Sequence, residues 1–168
     1  MVEVVKVVKE HVPALRFIGK RYTDADRDAR GGFGARWEEW FQAGRFAALE
    51  ALGTAPEHGD AYVGLMRFAD EFEYWIGVFV PSGTPVPEGY DWIDLPETTF
   101  GTCWLYGRED SGELYGEAVH MLCVSHIEER GWKIAPSPWF MERYNHPRFT
   151  TPDEHGKVIL DYCIQLAG

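Results

Sequence analysis

The chain opens on an alternation of apolar and charged residues. Val2 to Val8 follows the two-residue period of a strand or a short extended arm. After Pro13, the stretch Ala14 to Thr23 predicts a second strand. The charged DADRDARGG then gives way to helical spacing. Trp37, Phe41, Ala48 and Leu52 recur along one face between Ala35 and Leu52, and Trp40 widens the stripe. Gly53 and Pro56, in GTAPEHGD, are expected to stop this helix. AYVGLMRF and FEYWIGVFV are strand-like, and the ADE between them is short enough for a hairpin.

PSGTPVPEGYD, dense in proline and glycine, breaks the chain near its middle. The order of elements then repeats. WIDLPETTFGTCWLYG is strand material. DSGELYGEAVHMLCVSHIEERG predicts a helix, with Asp110 and Glu113 as a capping box and Gly131 near its end. PWFMERYN and KVILDYCIQL predict two further strands. Pro13 and Phe17, in PALRF, recur at the same spacing as Pro96 and Phe100, in PETTF. The expected fold is α+β: two β-α-β-β units, about 12–81 and 90–168, in a single domain spanning 1–168. They join edge to edge in one antiparallel sheet with two helices on one face. A crevice on the axis relating the units is the natural ligand site, because neither half fills it alone.

Composition and charge narrow the function. The 168 residues are enough to bury a core without disulfides or metal. A net charge of -11 argues against nucleic acid and against anionic membrane surfaces, and suits a cationic or neutral ligand. Cys103, Cys123 and Cys163 are odd in number and widely spaced, so they read as buried thiols in a reducing compartment. With no signal-peptide pattern and no apolar run long enough to span a bilayer, the cytoplasm is the default expectation. The expected partner is a small molecule, and the expected state a monomer or homodimer. Aromatics make up 15% of the chain, more than packing alone usually asks for.

The sharpest chemical feature is Glu142, set among Trp139, Phe140, Met141 and Tyr144. On a strand it shares its side with Phe140 and Tyr144, whereas Trp139, Met141 and Arg143 point the other way. An ionised carboxylate on a packed face is costly unless paired. Glu142 is therefore protonated with a raised pKa, paired with an arginine, solvated at an edge, or set in a cavity that admits water and ligand. The cavity accounts best for the aromatics, whose faces attract cations. Trp37, Trp40 and Phe41 are candidates to floor it or to pack as core. Tyr74 and Trp75 face opposite sides of their strand, so at most one lines a given cavity. Tyr74 shares its side with core-like residues, and Trp75 with Gly77 and Phe79. Trp104 and Tyr106 share one face, and Tyr162 needs a partner for its hydroxyl if buried.

Other motifs carry less. His120, Cys123 and His126 rotate progressively around their helix and do not converge as metal ligands. RGGFGAR precedes a helix but lacks the P-loop and dinucleotide patterns. No serine or cysteine has a nucleophile-elbow context. Neither a metal nor a cofactor is expected.

The β-α-β-β repeat, VPSGTPVPEGYDWIDLP ahead of the second half, and ERY in its third strand together resemble the GyrI-like small-molecule-binding domain, over nearly the whole chain. That domain also forms the effector-binding part of certain AraC-type and MerR-type activators; this chain resembles a stand-alone member. The resemblance implies that Glu142 matches a glutamate facing cationic, often aromatic, ligands in an aromatic cavity, a site suited to toxin or multidrug protection. RWEEWF and EYWIGVFV are similar to stand-alone members that hydrolyse the cyclopropane ring of DNA-alkylating natural products. On that reading Glu142 is the general base, and Tyr144 or Tyr74 donates to the carbonyl that gains charge. A third reading, implied by the gyrase-inhibiting relatives, is an inhibitor whose acidic surface occupies a basic partner.

Overall fold

A computed structural model describes residues 1–52 and 61–168. Its strands are β1 (Glu3–Val12), β2 (Leu15–Tyr22), β3 (Tyr62–Phe68), β4 (Phe72–Pro81), β5 (Asp91–Leu95), β6 (Thr98–Gly107), β7 (Phe140–Tyr144) and β8 (Val158–Gln165). The helices among the described residues are α1 (Gly34–Ala43), α2 (Arg45–Glu50) and α3 (Glu117–Glu129). All eight strands join one antiparallel sheet in the order β1-β6-β8-β7-β3-β4-β2-β5. The order reads symmetrically from either edge. β7 and β3 meet at the centre, and the opening strand of each half edges the other half: β1 beside β6, and β5 beside β2.

All three helices bury against the same face. Trp40, Phe46 and Leu49 join Val119, Cys123 and Ile127 in one cluster with Ile18, Tyr74, Ile76, Leu105, Leu160 and Tyr162. α3 packs mainly on β1, β6 and β8, and α2 on β4. The other face carries no helix among the described residues, yet it buries Phe17, Leu65, Trp75, Phe79, Phe100, Met141 and Cys163. Gly19 and Gly77 are cross-strand partners where β2 and β4 approach too closely for side chains: a Cβ at Gly19 would lie 1.9 Å from the Ile76 carbonyl oxygen.

Several expectations change in detail. The helix expected over 35–52 is two helices. Gly44, at φ 65°, turns the chain between them in the left-handed region open to glycine. The turn rephases the buried stripe to Trp40, Phe46 and Leu49, leaving Phe41 59% exposed and Ala48 on the outside. Gly53 and Pro56 lie outside the described residues. The second helix begins at Glu117, not near Asp110. Asp110 pairs with Arg108, and Glu113 Oε1 accepts the Arg108 backbone N–H at 2.7 Å, so no capping box forms. The 92–107 strand material divides at Pro96 into β5 and β6, and the opening arm is a full edge strand.

Charge on the helix-free face is paired. Asp161 is fully buried and accepts hydrogen bonds from Arg143, Arg148 and Asn145; Arg143 also donates to Glu10 at 2.6 Å. Arg143 is thus neither a snorkelling surface residue nor a partner of Glu142. Replacing Asp161 with alanine leaves one nearly buried guanidinium and one partly buried one without their shared anion. Denaturant unfolding should show a loss of about 3–5 kcal/mol; a loss below 1 kcal/mol would contradict the structural role assigned to this cluster.

Candidate functional site

β7 is five residues long and lies at the centre of the sheet, so its helix-facing side chains fall between α3 on one side and α1 and α2 on the other. Phe140, Glu142 and Tyr144 face that way. Glu142 stands opposite Gly64 on β3 and Tyr162 on β8. A Cβ at Gly64 would lie 2.6 Å from the Tyr74 hydroxyl, so the glycine lets the Tyr74 ring lie over β3 towards the centre. Tyr74 stacks on Phe33 at 4.3 Å between centroids, and its hydroxyl accepts the Trp37 Nε1–H at 2.9 Å. Trp37 also packs edge-on against Tyr144 at 5.1 Å.

The Tyr144 hydroxyl donates to Glu142 Oε2. Tyr115, in the loop before α3, lies close enough to feel the Glu142 charge and to interact with Tyr144. On the α3 side, the Tyr162 hydroxyl is 2.7 Å from His120 Nδ1, and the His120 ring lies 4.7 Å from Phe140. Tyr74, Tyr115, Tyr144 and Tyr162 therefore surround one carboxylate. Burial, reinforced by the Glu142 charge, pushes all four phenols up and keeps them protonated donors. Burial lowers the His120 pKa, with Glu117 acting the other way, so its imidazole is neutral at neutral pH.

Glu142 is closely surrounded by protein but keeps some accessible surface. Desolvation pushes its pKa up to about 7, and the Tyr144 hydrogen bond only partly opposes this. Among the described residues no basic side chain pairs with it. A carboxylate so placed attracts a cation that arrives with its own apolar surface, and near neutral pH it can also take up a proton.

The other sequence candidates are distributed differently. Tyr162 and Phe140 line the α3 side, and Trp37 and Tyr74 the α1 side. Phe41 lies at the rim, its ring 6.3 Å from Trp37 and 6.1 Å from Tyr62. Trp40 is fully buried, donates to the Tyr22 hydroxyl at 3.0 Å and packs on Phe46, so it belongs to the core. Trp75 lies on the opposite face and donates to Glu73 at 3.0 Å. Trp104 and Tyr106 also lie on that face. Trp104 is held between Lys6 and Arg148, and Tyr106 donates to Asp153. A separate open depression of about 520 Å³ is lined by Arg21, Trp75, Tyr90, Asp91 and Trp92. Its Arg21 is already paired with Glu71 and Glu73, and it does not include Glu142.

Sequence reasoning missed Tyr115, Phe33, Gly64 and the imidazole of His120 as part of this site. The glycine had a usable signal: an isolated glycine within a strand pattern marks a close approach. Phe33 is set by the glycine-rich turn, whose N–H groups at Arg30, Gly32 and Ala35 bind the Asp28 carboxylate.

Glu142 binds its proton more tightly folded than unfolded, so its contribution to stability falls as pH rises from about 4.5 through about 7. Glu142→Gln removes that penalty. The variant should be more stable than the parent by on the order of 1–3 kcal/mol at pH 8, with the gap closing towards pH 5. Denaturant melts across this range test it; a gap independent of pH would mean that the carboxylate is not desolvated.

No family model and no curated protein matches the chain. Solved structures do. SAV2435 bound to tetraphenylphosphonium aligns at a TM-score of 0.68 and 19% identity, over 98% of this chain and 95% of that one. A putative transcription regulation protein from Staphylococcus aureus MU50 aligns at 0.66 and 17% identity, over 97% and 99%. The C-terminal domain of EcmrR aligns at 0.60 and 12% identity, over 96% and 97%. At these identities the likeness is one of fold, and the fold is that of the GyrI-like domain that the sequence motifs resemble.

Proposed function

We propose that the protein binds bulky, aromatic, cationic small molecules in the cleft over β7 and β3. Glu142 supplies the anion, and Trp37, Tyr74, Phe140, Tyr144 and Tyr162 the walls. The observation that carries this reading is a carboxylate at the sheet centre with aromatic neighbours and no cationic partner among the described residues. A ligand cation there gains both the charge and the ring faces, and its own greasy surface repays the loss of water. The tetraphenylphosphonium held by SAV2435, a protein of the same fold, has this chemistry. Such a site tolerates many shapes, which suits protection against toxins or drugs.

A second reading is favoured by the raised Glu142 pKa and its protonated phenol neighbours. In a cyclopropane hydrolase, Glu142 takes a proton from water, and the water oxygen bonds to a ring carbon. The strained C–C bond breaks, its electrons pass to a conjugated carbonyl, and a tyrosine hydroxyl stabilises the oxygen that gains charge.

Calorimetric titration with tetraphenylphosphonium should give a dissociation constant on the order of micromolar that tightens as pH rises through about 7. Glu142→Gln should weaken binding about tenfold or more and abolish the pH dependence. Affinity indifferent to the substitution would refute the electrostatic reading. The hydrolase reading predicts turnover of a cyclopropane-bearing alkylator that is lost in Glu142→Gln while the compound still binds; turnover that survives the substitution removes Glu142 as base.

A further inference from the structure

The aromatic surface does not stop at Glu142. Tyr62 on β3 is the direct cross-strand partner of Tyr144. Its ring stacks on Phe46 of α2 at 3.7 Å and 7°. Phe46 in turn packs against Trp37 and Phe41, and Phe41 is exposed at the outer end of the series. Trp37 thus touches both the inner rings, through Tyr144 and Tyr74, and the outer ones.

The outer end also carries an anion. Glu50, the last residue of α2, accepts the Tyr62 hydroxyl. Burial and this carboxylate push the Tyr62 pKa up to about 12, so the phenol stays a donor. No basic side chain among the described residues pairs with Glu50. The inner site is repeated in outline: a carboxylate held by a tyrosine hydroxyl, beside aromatic rings, lacking a cation. Glu142–Tyr144 and Glu50–Tyr62 are joined where the two tyrosines face each other across β7 and β3.

We propose that Glu50 and Tyr62, with Phe41, form an outer anionic subsite continuous with the cleft, and that the preferred ligands are elongated dications. One positive group lies at Glu142, the aromatic body runs along Trp37, and the second positive group lies at Glu50. The inference rests on Glu142 being the inner cation site. It adds a length and a second charge that a single carboxylate does not select.

The test compares an N-alkylquinolinium with bis-quinolinium compounds of increasing methylene bridge length, titrated calorimetrically into the full chain. Wild type should bind the best-matched bis compound about tenfold or more tightly than the mono compound, with an optimum in bridge length. Glu50→Gln should remove most of that gain and leave the mono compound within about twofold, and raising salt should shrink the difference. Tyr62→Phe, which keeps the stacked ring but frees Glu50, should give a smaller loss confined to the bis compounds. Bis compounds no tighter than mono, or equal losses for both on Glu50→Gln, overturn the outer subsite while a Glu142→Gln effect preserves the inner one. Failure of both classes to bind wild type overturns the two together.

Discussion

A carboxylate at the centre of a sheet, with no cationic partner among the described residues, is the constraint around which this molecule is arranged. Buried against hydrocarbon alone, Glu142 would be protonated and inert; paired with arginine, it would be neutralised. Instead, tyrosine hydroxyls surround it, that of Tyr74 held in turn by the Trp37 indole N–H, with dipoles that cannot cancel its charge. This leaves the carboxyl near its midpoint at neutral pH. The glycine at position 64 belongs to the same arrangement, since any side chain there would displace the Tyr74 hydroxyl.

The two faces of the sheet treat charge in opposite ways. On the helix-free face Asp161 and Glu10 with Arg143 and Arg148, and likewise Glu73 and Glu71 with Arg67 and Arg21, are matched ion by ion. On the helix face the buried acid has no counterion among the described residues. Adjacent residues of one strand, Glu142 and Arg143, lie on opposite sides of this division because the side-chain period of a strand is two.

Strand alternation was the most legible part of the sequence. It assigned Glu142, Phe140 and Tyr144 to one side and Arg143 to the other, and the order of elements indicated an antiparallel sheet with helices on one face. Less legible were features set by single backbone torsions. Gly44 sits inside a run of good helix formers, and its left-handed turn moved Phe41 to the rim and Trp40 into the core. Tyr115 lay in a stretch that reads as helix until Gly116, at φ 107°, delays the start of α3. Trp104 and Tyr106 could not be placed by alternation alone, because a strand covered on both faces offers no polar side to mark which aromatics line a cleft.

The exchange of β1 and β5 has a mechanical consequence. Each half is fastened to the other along the centre and again at its outer edge, so no linker separates two bodies that could swing apart. On the binding reading proposed above, a guest of unusual size is accommodated by rotating rings and flexing one continuous ribbon. Breadth of recognition would then come from side-chain plasticity, and the entropy of those rings, rather than any hinge, would set how tightly each guest is held.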